Sequence, residues 1–177
     1  YSHVGLQEAR ERQHVLDLTT MPRENLTISA FLGQETVQST LRGASSFAEP
    51  NWTAHQKDRI DSLGLTLHVS DFLRKGFDFG ADFLLSSGNG EIRMTTGSPA
   101  AELPDLQFRQ QTLQTFGRYR VNDQFSVQVD YRHDRLRSRD YALDGVSATT
   151  IAELLSLGGE SAHYSAQFIG TRLLYRF

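Results

Sequence analysis

The ten residues Phe168-Ile169-Gly170-Thr171-Arg172-Leu173-Leu174-Tyr175-Arg176-Phe177 divide by alternation. Ile169, Thr171, Leu173, Tyr175 and Phe177 share one side of an extended chain, and Phe168, Gly170, Arg172, Leu174 and Arg176 share the other. Successive side chains of a strand point to opposite faces, so such a segment belongs to a sheet whose two faces meet different surroundings. The pattern recurs upstream. Over 124–134, Phe125, Val127, Val129 and Tyr131 alternate with Gln124, Ser126, Gln128, Asp130 and Arg132, separating apolar from polar almost completely. Working outward, the alternation predicts seven strands near 11–20, 25–35, 60–69, 76–86, 108–121, 124–134 and 164–177. The first of these is the weakest, and Phe31 and Leu84 interrupt otherwise polar faces.

The connections sort as clearly as the strands. Residues 21–25, 70–76 and 121–124 read as short turns, whereas 36–58, 87–107 and 135–163 read as long connections rich in Gly, Ser, Pro, Asn and charge. Short and long alternate along the chain, as the periplasmic turns and extracellular loops of an outer-membrane barrel do. All four prolines, Pro22, Pro50, Pro99 and Pro104, fall in connections, where they remove no ladder hydrogen bond. A soluble lipocalin-like barrel or sandwich would also alternate, but it turns its apolar face inward and rarely carries three irregular connections of that length. The expected fold class is therefore all-β: an antiparallel transmembrane outer-membrane β-barrel, with residues 1–177 forming one domain in the bacterial outer membrane.

Composition is consistent with this and excludes other classes. With 38% hydrophobic residues and a mean hydropathy of -0.42, the chain offers no run of the roughly 18 apolar residues that a helical span requires. A net charge of -3 argues against a nucleic-acid partner, which would favour a basic chain. With no cysteine there is no disulfide, thiolate metal site, cysteine nucleophile or haem attachment motif in this chain. No signal peptide is legible in residues 1–30. Seven strands whose first begins on the outer side cannot close as an even-numbered barrel, so the expectation is about seven C-terminal strands of a larger barrel.

Candidate functional residues fall into three groups. Ile169, Thr171, Leu173, Tyr175 and Phe177, an apolar series ending in an aromatic, have the form of the signal by which the barrel assembly machinery recognises a terminal strand. Asp78, Asp82, Arg118, Arg120, Asp130, Arg132 and Arg172 fall on the polar faces and are expected to line a lumen, bracing it through cross-strand pairs. His133, Asp134 and His163 lie near neighbouring strand ends and would support a surface metal or a hydrolytic dyad only if they converged. Tyr119, Phe125, Tyr131, Tyr164 and Tyr175 are expected to face outward as interfacial girdles. Ser147, Ile151, Leu154, Leu155 and the pair Gly158-Gly159 predict one short helix in the last outer loop.

The last third carries a family resemblance. Tyr131-Arg132-His133-Asp134, the run Ser138 to Val146, the run Leu155 to Glu160 and the closing Tyr164 to Phe177 resemble the C-terminal end of the MtrB/PioB family. The resemblance implies an outer-membrane barrel, not an enzyme, that sheathes and positions a periplasmic multihaem c-type cytochrome as a transmembrane electron conduit. It places the haem on the partner and no cofactor in this chain, and it allows an extracellular cytochrome at the outer loops, with outer-membrane lipid around the wall. Members often carry a cysteine pair near the mature N-terminus, which this chain lacks, and its absence fits the expectation of a missing N-terminal region. The alternative reading is a general diffusion porin or solute channel without a cytochrome.

Overall fold

The computed structural model describes residues 3–44, 49–95, 101–102, 105–140 and 161–176. They form β1 (Gly5–Arg23), β2 (Leu26–Gly43), β3 (Trp52–Val69), β4 (Phe77–Thr95), the two-residue β5 (Ala101–Glu102), β6 (Leu106–Arg120), β7 (Phe125–Arg139) and β8 (His163–Tyr175). The seven long strands make one antiparallel meander in the order β1-β2-β3-β4-β6-β7-β8, with β5 added beside the far end of β4. Among the described residues β1 pairs only with β2 and β8 only with β7, so the sheet is open along these two edges. The helix expected near 147–159 and the final Phe177 lie outside the described residues.

Local chemistry makes the short turns tight. Asn122 Oδ1 accepts the backbone N–H groups of Gln124 at 3.0 Å and Phe125 at 2.8 Å, an Asx turn that joins β6 to β7. Between β3 and β4, Asp71 and Leu73 take φ of 52° and 65°, and Asp71 Oδ1 accepts the N–H of Gly76. An aspartate tolerates the left-handed region through such local bonding. Asn25, in the β1–β2 turn, donates through Nδ2 to the Ser70 carbonyl at 2.9 Å and ties the two turns together.

Register decides which residues share a face. Leu26, Val69, Phe79, Gly117, Val129 and Thr171 form one cross-strand row, and Ile28, Leu67, Ala81, Thr115, Tyr131 and Ile169 form the next. The alternating apolar residues near the short turns thus form a band on a single side of the sheet. Tyr164 is the exception to the expected outward aromatics: it pairs with Leu136 on the polar face, because it is an odd number of residues from Ile169.

The apolar band crosses the cross-strand rows obliquely. Its far edge is set by Leu16, Leu32, Leu63 and Leu85 in one row, but by Leu113 one row nearer the short turns and by Tyr131 and Ile169 one row nearer still. The edge at the short turns slides the same way, from Leu26 and Val69 through Phe77 and Tyr119 to Phe125 and Tyr175. A band of constant height that slips along successive strands is what tilted, staggered barrel strands produce.

No second layer covers the apolar face. Leu16, Leu18, Leu32, Leu65, Ile169 and Leu173 are all exposed, while the most buried side chains, Gln128 at 3%, Ala54 at 8% and Asp130 at 9%, sit on the other face. In a single-layer sheet side chains bury one another on the side toward which the sheet curls, so the polar face is the concave one. A soluble barrel would show the reverse. Aromatic rings help to fill this face: Phe31 lies on Gly64 and Phe116 on Gly80, each directly across the ladder, and any Cβ at those glycines would collide with the ring. Phe31 therefore interrupts the polar face for a packing reason.

The strands run well past the expected ends. β2, β3 and β4 have 18, 18 and 19 residues, roughly 60 Å of chain, of which the apolar band takes less than half. The segments 36–43, 52–59 and 87–95, expected as loops, are ordered wall. In this extension the pattern inverts. Leu41, Ala54 and Met94 form a row on the concave face, as do Ile60, Gly88 and Phe108, whereas the convex face carries Gln34, Asp61, Ser87 and Arg109.

Candidate functional site

The concave face is assembled from β4, β6, β7 and β8 near the short turns, where alternation delivers one polar side chain from every second residue. Asp130 on β7 is its best-connected group. Arg172 of β8 donates to it through Nε at 2.8 Å and Nη2 at 2.6 Å, a bidentate pair, and Gln128 adds Nε2 to Oδ1 at 2.7 Å. Arg118 of β6 closes the chain by donating Nε to Gln128 Oε1 at 2.8 Å. Three strands are thereby linked by one continuous hydrogen-bonded run.

A second cluster lies farther along β7. Asp134 accepts Arg132 Nε at 2.6 Å and Thr112 Oγ1 at 2.7 Å. Toward β3, Thr66 donates to Asp82 at 2.7 Å, and Ser62 and Ser86 share a hydrogen bond of 2.9 Å. Asp78 is directly opposite Arg118, yet its Oδ1 accepts the backbone N–H of Asp71 at 3.3 Å, and no ion pair joins it to Arg118. Arg120 lies at the rim near the short turns. The seven charges Asp78, Asp82, Arg118, Arg120, Asp130, Arg132 and Arg172 thus occupy one face, but only Asp130–Arg172 among them pair directly. Gln128 and Thr112, the neutral links of these clusters, carry no charge that would single them out in a sequence.

The terminal series keeps one face: Ile169, Thr171, Leu173 and Tyr175 lie opposite Tyr131, Val129, Val127 and Phe125. The histidine cluster does not assemble. His133 points to the convex side, with Nε2 3.1 Å from Ser165 Oγ, while Asp134 points to the concave side. His163 pairs across the ladder with Arg137 and its Nδ1 lies 2.9 Å from the Ser161 carbonyl. A hydrolytic dyad at these residues is ruled out by strand parity, since adjacent residues cannot share a face. Among the described residues no three His, Cys, Asp or Glu side chains converge as a metal site would require.

Chemically, the concave face can hydrate, bind polar groups and resist deformation. Asp82, Asp130 and Asp134 are each held there by neighbouring side chains. An exposed apolar face of this extent on a soluble monomer would be an aggregation surface, whereas on an outer-membrane barrel it meets lipid. No curated protein matches the chain. Residues 1–177 match the family described as "Putative outer membrane beta-barrel porin, MtrB/PioB". With its antiparallel meander, outward apolar band and polar concave wall, the chain belongs to the MtrB/PioB family of outer-membrane β-barrel porins, proteins of the bacterial outer membrane.

Proposed function

We propose that this wall encloses a periplasmic multihaem c-type cytochrome and holds it across the outer membrane as an electron conduit, the redox centres belonging to the partner. One observation carries the reading: the concave face is a mixed surface of the kind a folded protein fits. Fixed hydrogen-bonded charges line it near the short turns, and beyond the apolar band it presents Leu41, Ala54, Met94, Ile60, Phe108 and Leu106. A water-filled diffusion pore gains nothing from such a lining, because the apolar area stays in contact with water. A protein partner covers it and meets the charged region with complementary polar groups. The barrel's own part is to insulate and to fix height and orientation, which spacing-sensitive electron transfer demands.

The test is extraction of the full-length protein from outer membrane in mild detergent, with the co-purifying material scanned for the Soret band of c-type haem. A stoichiometric haem protein is the expected result. A colourless barrel that conducts ions steadily in a planar bilayer would overturn the reading in favour of a diffusion porin.

A further inference from the structure

The convex face beyond the apolar band is strongly basic. It carries ten of the chain's 18 Lys and Arg, against four acidic residues among the described ones: Glu8, Asp61, Glu91 and, in β5 opposite Arg93, Glu102. Glu8, Asp61 and Glu91 each pair with an arginine two residues away on their own strand. The cations still outnumber these carboxylates, and seven of them cluster in two shallow concavities, where Arg10 and Arg59 are the ones so paired. Arg109, Gln111, Arg135 and Arg137 line one, across β6 and β7, with Arg109 directly opposite Arg137. Arg10, Arg12, Lys57 and Arg59 flank the other across β1–β3, on either side of a floor that includes Thr36 and Gln38.

Two features narrow what these clusters meet. Like charges directly opposite one another weaken a sheet, so the Arg109–Arg137 pair is a cost unless an anion lies between the guanidinium groups. Height is the second. Arg12, Arg59, Arg109 and Arg135 each stand four residues beyond the last residue of the convex apolar band on their strand, Leu16, Leu63, Leu113 and Tyr131. That is about 13 Å along the strand, or about 10 Å above the hydrocarbon edge at a tilt near 40°, within downward reach of a long guanidinium arm to the headgroup layer. The belt continues the lipid-facing surface without a break and follows the wall, not the tips of the long connections.

We infer that this belt binds the phosphates of the outer-leaflet glycolipid, the lipid A headgroup, so that a ring of lipopolysaccharide is fastened to the barrel. Arginine forks suit phosphate oxygens bidentately, and the two strand spacings between Arg12 and Arg59, roughly 10 Å, leave room for one phosphorylated sugar. The side of the long connections is the extracellular side in an outer-membrane barrel, which is the leaflet that carries this lipid.

In the test, the full-length barrel in detergent is titrated with lipid A bearing both phosphates and with lipid A stripped of both, and bound lipid is counted by native mass spectrometry. The phosphorylated lipid should bind about tenfold tighter, as charge-assisted bidentate contacts predict. Arg109→Gln/Arg135→Gln/Arg137→Gln should lose most of that preference, while Arg23→Gln/Lys75→Gln/Arg176→Gln, near the short turns, should keep it. Millimolar inorganic phosphate should compete weakly; complete displacement by it would identify a free-phosphate site and overturn the lipid assignment. Equal affinity of the wild-type barrel for the two lipids would also overturn it, and this comparison stands even if the triple variant does not fold. Lys57→Gln/Arg59→Gln gives a second, independent cluster to weaken.

Discussion

An arginine walked along the convex face of β4 would measure the lipid boundary directly. Phe77, Phe79, Ala81, Phe83 and Leu85 make up the band on this strand, so Ala81 is four residues from either end, about 13 Å along the chain and about 10 Å along the membrane normal. Its cross-strand neighbours are Leu67 and Thr115, and no acidic group shares its row among the described residues. Ala81→Arg should cost about 2–4 kcal/mol of folding free energy, the range for arginine at mid-depth in a barrel. Leu85→Arg, beside Leu63 and Gln111 at the edge, should cost about 1 kcal/mol, because the guanidinium reaches the headgroups. Ser87→Arg, between Asp61 and Arg109, should cost close to nothing, since the new charge is solvated and the attraction to Asp61 offsets the repulsion from Arg109. The assay is reversible urea unfolding of the full-length barrel in phospholipid vesicles, followed by tryptophan fluorescence. A flat series, or one in which Ser87→Arg is the costliest, would show that this face does not meet lipid where the register puts it.

Other substitutions probe the concave wall and the last strand. Asp130→Ala removes both bonds from Arg172 and one from Gln128, and should destabilise by about 2–3 kcal/mol in the same unfolding assay, with Asp130→Asn recovering part of the loss. Gly80→Ala should cost about 1–3 kcal/mol through collision with the Phe116 ring, and Phe116→Leu should relieve much of it; the double variant, compared with each single one, tests the coupling. Tyr175→Asp places a charge opposite Phe125 on the terminal strand and should abolish heat-modifiable migration of the full-length barrel on gels, whereas a normally migrating variant would remove Tyr175 from the assembly signal.

What could be read from the amino acids, and what could not, divides at the membrane edge. Inside the band the environments on the two sides of the wall differ sharply, so period-two alternation in segments such as 125–131 assigns every face correctly. Past the edge the convex side meets charged headgroups or water, and the concave side turns apolar. The alternation therefore changes phase in meaning while the strand continues, as where Leu63 outside gives way to Ile60 inside. Read as one amphipathic pattern, those residues look like loops, which is why 36–43 and 52–59 were not legible as strands. The same inversion misplaces Tyr164, an aromatic near a strand end whose parity puts it on the concave side. Phe31 and Leu84 look like errors in the pattern until the ladder puts both across from Gly64. Of the polar wall, the charged positions were legible, but not their partners: which cation reaches Asp130 depends on rotamers and on Gln128, and these follow from packing across three strands.

The oblique passage of the apolar band through the ladder makes the bilayer a ruler for strand register. Were β7 to slip by two residues against β6, all its backbone bonds could re-form, since the side-chain period is conserved by such a shift. Its apolar stretch, however, would move about 7 Å along its axis, carrying Tyr131 out of line with its neighbours or bringing His133 and Arg135 down toward the acyl chains. Hydrogen bonding alone scarcely distinguishes the two alignments, and the solvent does: the membrane in which the wall assembles penalises every slipped pairing and so selects the alignment that levels the seven strands with one another.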